Sequence, residues 1–106
     1  MNAEEALVAL VTAPAASATD LARSLVDQRA AACVNVLPGA VSVYRWNDAM
    51  HEDPEVLLVV KTTRARFPKL ERAILELHPY DCPEILALPV AEGHAAYLDW
   101  LGREVA

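Results

Sequence analysis

Glu55-Val56-Leu57-Leu58-Val59-Val60-Lys61 is the stretch that decides how this chain folds. It reads as a strand whose central five residues are all apolar. Successive side chains of a strand point to opposite faces, so such a strand has to be dry on both. Upstream, Cys33 to Trp46 also favours a pleated surface, through Val34, Val36, Val41, Val43, Tyr44 and Trp46. Pro38-Gly39 interrupts that segment and predicts a bend or bulge. Asn47-Asp48 supplies turn residues between the two segments, which are expected to form one long hairpin.

Working outward, Ala6 to Val11 (ALVALV) is another strand apolar on both faces, bounded by Thr12-Ala13-Pro14. Ser17-Ala18-Thr19-Asp20 has the form of a capping box, and Leu21, Leu25 and Val26 then recur at helical spacing to about Ala32. On the other side of the hairpin, Thr63 is placed to cap a second helix, with Phe67, Leu70, Ile74 and Leu77 as one apolar stripe. His78-Pro79 ends it, because proline disfavours the α conformation in the residue before it. Glu84 to Val90 predicts a fourth strand. Gly93 opens a last helix with Tyr97, Leu98, Leu101 and Val105 on one side. The order β-α-β-β-α-β plus a terminal helix is that of an α+β ferredoxin-like sandwich, a single domain over residues 1–106. Two helices cover one sheet face, and one short terminal helix cannot hide the other. Self-association through a symmetric interface is the simplest cover.

Composition agrees. Hydrophobic residues make up 55% of the 106-residue chain, high for a small monomer. No apolar run approaches the ~20 residues of a membrane helix, so no membrane partner is expected. The acidic start Met1-Asn2-Ala3-Glu4-Glu5 lacks the basic flank of a signal peptide, and a cytoplasmic location is expected. A net charge of -6 repels phosphate backbones and argues against nucleic acid. It suits cations, and equally suits solubility alone. The two cysteines, Cys33 and Cys82, form no Cys-x-x-Cys pair and are expected to be reduced thiols.

Several segments, in order, resemble the CutA divalent-cation-tolerance family. They are Thr12-Ala13-Pro14, Ala31-Ala32-Cys33-Val34-Asn35, Pro38-Gly39 with Tyr44 and Trp46, Glu55 through Lys61-Thr62-Thr63, His78-Pro79-Tyr80 with Pro83-Glu84-Ile85, and Tyr97, Leu98 and Trp100. The resemblance spans roughly residues 6 to 102. It implies a ferredoxin-like fold assembled as a homotrimer, similar in architecture to PII signalling proteins. It also implies a link to tolerance of divalent metals, copper especially. Copper ligation in that family is associated with a cysteine before Thr-Ala-Pro and a His-His pair before Pro-Tyr. Val11 and Leu77 stand at two of those places here, which leaves His78.

His78 is the first candidate metal ligand, since neutral imidazole suits copper or zinc. It equally suits a cap on the second helix, bonding a carbonyl. Cys82, in a loop, is the second candidate, as a soft thiol. Cys33 reads as a small buried hydrophobe. His51 and His94 read as surface residues. Trp46, Lys61, Tyr80 and Glu84 are expected to line a ligand cleft between subunits, with interface packing and a Lys61–Glu84 ion pair as the alternative. Glu52, Asp53 and Glu55 read as a solvated acidic edge, and Trp100 as packing for the terminal helix.

The expected cofactor is a divalent metal, copper or zinc, with no organic cofactor. There is no nucleophile elbow, no His-Glu-x-x-His and no triad, although His78 with Glu84 or Tyr80 offers acid–base groups. The chain therefore reads as a binding protein, not an enzyme. A PII-like regulatory trimer holding a small ligand between subunits, or a scaffolding trimer, are the alternatives. The three isolated glycines make no phosphate loop.

Overall fold

A computed structural model describes all 106 residues. After a short 3₁₀ turn at Ala3–Glu5, the elements are β1 (Ala6–Ala13), α1 (Ala15–Asp27), β2 (Cys33–Trp46), β3 (Ala49–Thr63), α2 (Phe67–Leu77), β4 (Leu86–Pro89) and α3 (Ala95–Glu104). The four strands form one antiparallel sheet in the order β2-β3-β1-β4. This is the ferredoxin-like arrangement with a terminal helix added.

The alternation along β3 separates its apolar run into two sets. Val56, Leu58 and Val60 face Ala13, Val11 and Ala9 across the β1 pairing and join Leu21, Leu25, Leu70 and Ile74 in the main core under α1 and α2. Leu57 and Val59 face the other way, with Thr12 and Leu10 opposite them. Only α3 serves that second face, through a small cluster of Ala6, Ala32, Leu98, Leu101 and Val105 with Trp100 packed against it. Leu86 and Leu88, paired with Leu10 and Val8, stay 59% and 51% exposed.

β2 and β3 run past the helices as a long arm. Asn47 and Asp48, both with positive φ, make the two-residue turn between Trp46 and Ala49. The register slips between Leu37 and Ala40, and Gly39 there takes φ +87, a conformation that costs a side chain about 1–2 kcal/mol. The bulge that Pro38-Gly39 predicts is thus present.

Several boundaries differ from the expectation. α1 starts at Ala15, behind Pro14, and Ser17 lies within its first turn, donating to the Pro14 carbonyl. No capping box forms. The helix stops at Asp27 rather than near Ala32, in a Schellman turn. Arg29 N–H donates to Val26 O and Ala30 N–H to Leu25 O, with Arg29 at φ 59. The Arg29 guanidinium donates to the Glu104 carbonyl at 3.0 Å. Thr63 Oγ1 accepts from Arg66 N–H, capping the turn before α2 and not α2 itself. Ala73, not the half-exposed Leu77, completes the buried face of α2. β4 is confined to Leu86–Pro89, and α3 starts at Ala95 with His94 before it and Tyr97 exposed.

Leu58 is fully buried at the centre of this packing. Leu58→Ala is expected to lower unfolding stability by about 2–5 kcal/mol, measured by chemical denaturation. A loss under about 1 kcal/mol would show that the core closes around the gap.

Candidate functional site

The end of β1, the hairpin arm and the loop after α2 enclose a cleft of about 700 Å³. Thr12 comes from β1, Ser42, Val43, Tyr44, Trp46 and Glu55 from the arm, and Pro79, Tyr80, Asp81, Cys82, Pro83 and Glu84 from the loop. Strand pairing builds the arm's wall: Tyr44 sits opposite His51 and Ser42 opposite Asp53. The Tyr44 and His51 rings stack with centroids 5.4 Å apart, and the Tyr44 hydroxyl donates to Asp53 Oδ2 at 2.6 Å. That hydrogen bond is the main reason the Tyr44 phenol titrates above its ordinary range.

His78 fixes the loop. It is 7% exposed. Its Nε2 lies 2.7 Å from the Thr12 carbonyl, and its Nδ1 accepts from Tyr80 N–H at 3.1 Å. The neutral tautomer with the proton on Nε2 satisfies both contacts. Pro79 then turns the chain so that Tyr80 leans against the His78 ring, with centroids 4.7 Å apart. The Tyr80 hydroxyl donates to Glu55 Oε2 at 2.8 Å, which ties loop to arm. Burial and then this bond push the Tyr80 phenol up to about 12.

Of the residues singled out from sequence, the structure brings Trp46, Tyr80, Cys82 and Glu84 together on this cleft, with His78 directly behind it. Lys61 is elsewhere. It lies six residues along β3 from Glu55, about 20 Å at ~3.3 Å per residue. There its ammonium donates to Asn35 Oδ1, and no Lys61–Glu84 ion pair forms within the chain. Glu55 was expected with Glu52 and Asp53 on a solvated edge, yet it is only 8% exposed. It shares the strand face of Asp53, Leu57 and Val59, so alternation separates it from Glu52 alone, and the Tyr80 hydroxyl bonded to it marks it off from Asp53. Cys33 is half-buried and unpaired, Cys82 is exposed, and His51 and His94 are exposed.

These donors do not fit a metal within one chain. No three His, Cys, Asp or Glu groups converge on a point. Ligation by His78 requires giving up the Thr12 carbonyl or the Tyr80 amide. Val11, at the place of the cysteine in the resemblance, points into the main core.

His78→Ala leaves a buried carbonyl and an amide without their partner, and is expected to cost about 1–3 kcal/mol and to expose residues 79–84 to protease. Full stability with an intact loop would contradict the anchor role. Tyr80 stabilises through its neutral form, so its contribution is complete below the unfolded value of 10.0 and lost as pH rises through about 12. Tyr80→Phe is expected to remove the last-titrating share of tyrosinate absorbance, and an unchanged alkaline titration would contradict the Glu55 bond.

The sequence model of the CutA1 divalent ion tolerance protein family matches residues 7–104. The chain is 54% identical over 95 residues to the divalent-cation tolerance protein CutA of Thermus thermophilus, covering 89% of this chain and 92% of that one. It is 42% identical over 94 residues to human protein CutA, of which it spans 52%. The solved Thermus thermophilus structure superposes with a TM-score of 0.93 at 50% identity, over 95% of this chain and 99% of that one. A protein described as PII-like CutA from Nostoc superposes with a TM-score of 0.89 at 31% identity, over 94% and 98%. With nearly the whole chain matched in both sequence and fold, the protein belongs to the CutA1 divalent ion tolerance family.

Proposed function

We propose that the protein works in divalent-cation tolerance, with copper or zinc as the cation, as a cytoplasmic homotrimeric binding protein that catalyses no reaction. Family membership supports the cation link. The observation that carries the assembly is the second sheet face, where Leu37, Leu86 and Leu88 are exposed beside Leu57 and Val59. A patch of that kind favours a permanent neighbour of the same chain. A reducing compartment suits the unpaired thiols of Cys33 and Cys82.

Cys82 is the accessible soft donor and His78 the imidazole nearest to it in sequence. One chain completes no site, so a metal here takes donors from more than one copy. Calorimetric titration with copper(II) and zinc(II) tests this. A saturable heat is expected, weakened at least about tenfold in Cys82→Ser, as loss of a donor does. Equal heats in both proteins would remove Cys82 from the site. No saturable heat from either metal would remove direct binding altogether.

The cleft favours a second reading, a PII-like regulatory trimer that binds a small ligand against Trp46, Tyr80 and Glu84, with Lys61 brought in from another copy. Its volume lies in the range of small-molecule sites, about 300–1,000 Å³.

A further inference from the structure

We propose that a divalent metal and the loop after α2 compete for one imidazole: capture of the metal by His78 unlatches Tyr80 from Glu55, and the latch in turn sets how tightly the metal is held. This rests on the reading of His78 as a metal donor and adds the regulation of that site.

A neutral imidazole carries a proton on one ring nitrogen and a free lone pair on the other, and a metal needs that lone pair. In His78 the lone pair lies on Nδ1, where the Tyr80 N–H takes it at 3.1 Å, while Nε2 donates to the Thr12 carbonyl at 2.7 Å. A metal at Nδ1 displaces the Tyr80 amide. A metal at Nε2 displaces the Thr12 carbonyl and leaves the ring proton on Nδ1, where it meets the Tyr80 N–H, donor against donor. Turning the ring over puts a carbon where each nitrogen stood and breaks both bonds. Every route to a metal on this ring therefore costs the Tyr80 amide its acceptor.

Tyr80 is held at both ends. Its amide sits on His78, its hydroxyl donates to Glu55 Oε2 at 2.8 Å, and its ring leans on the imidazole with centroids 4.7 Å apart. A metal seated on the imidazole removes the first of these holds and disturbs the third, which leaves the Glu55 bond to keep the residue in place alone. Conversely, that bond keeps the amide on Nδ1 and so keeps the lone pair occupied. The metal selects the unlatched state, and linkage makes the two effects equal in size. None of these contacts depends on whether a neighbouring copy covers the sheet face. All join residues of one chain, His78 and Glu55 are buried in that chain already, and a neighbour only adds to their burial.

Calorimetric titration of the full chain and of Tyr80→Phe with zinc(II), together with amide hydrogen exchange in the unsubstituted chain, tests the competition. Zinc has no redox chemistry and leaves the two thiols unoxidised. Tyr80→Phe removes the Glu55 bond, keeps the ring and the amide, and takes no donor from the metal. It is expected to bind zinc at least about fivefold more tightly. In the unsubstituted chain, saturating zinc is expected to speed exchange of the Tyr80 amide by at least about the same factor. This second measurement needs no variant and carries the test should Tyr80→Phe fold poorly. Zinc bound with the Tyr80 exchange unchanged would put the metal off His78 and overturn the proposal while metal binding stands. Equal or weaker binding by Tyr80→Phe would overturn the coupling. No saturable heat from zinc in either protein would overturn both the proposal and the reading of His78 as a donor.

Discussion

Val56, Leu58 and Val60 leave β3 on one side, and Leu57 and Val59 on the other. The helices of a ferredoxin-like chain lie on one side only, so the first set is sealed by α1 and α2 while the second is not. Burying apolar area contributes roughly 25 cal/mol per Å², and leaving a sheet face wet forfeits that over its whole extent. α3 answers the problem locally, closing over Ala6 and Ala32 at one end. It leaves Leu86 and Leu88 bare at the sheet's short edge strand. The other properties of the protein follow from how this imbalance is resolved.

The hairpin arm is the second consequence of the same strand. β3 continues outward from the packed region as Ala49–Glu55, where the sequence turns polar, and the tight Asn47-Asp48 turn keeps β2 paired with it. Gly39 in its left-handed conformation lets the register slip by one residue, which carries Ser42, Tyr44 and Trp46 to the cleft. The loop from α2 meets the arm there, held by His78 behind and by the Tyr80–Glu55 bond in front. A protein whose core lies entirely at one end thereby acquires an acidic, aromatic-walled hollow at the other. The molecule measures 44 Å along its long axis against 26 and 23 Å across.

The element order, the long hairpin, its bulge and the stop at His78-Pro79 were all legible, because each is written in local chemistry that tertiary packing does not overrule. The helix boundaries were not. Ser17 resembles a cap, but Pro14 starts the helix sooner, and the Schellman turn uses Arg29 where a glycine would have signalled the end. Trp46, Tyr80 and Glu84, singled out through the family's motifs, lie on one hollow, and Cys82, singled out as a loop thiol, lies there too. Lys61, expected on the same cleft between subunits, lies beside Asn35 within its own chain, a placement that only the folded structure gives. Glu55 was hidden by its acidic neighbours Glu52 and Asp53. Its burial depends on a tyrosine 25 residues away that composition does not connect to it.

The claim underlying this account is that copies of the chain must dry the sheet face which its own helices leave open. Sedimentation or light scattering of the purified protein at low micromolar concentration measures that directly. The account predicts one species of three times the 11.5 kDa chain mass, persisting on dilution. A stable particle of 11.5 kDa would contradict it.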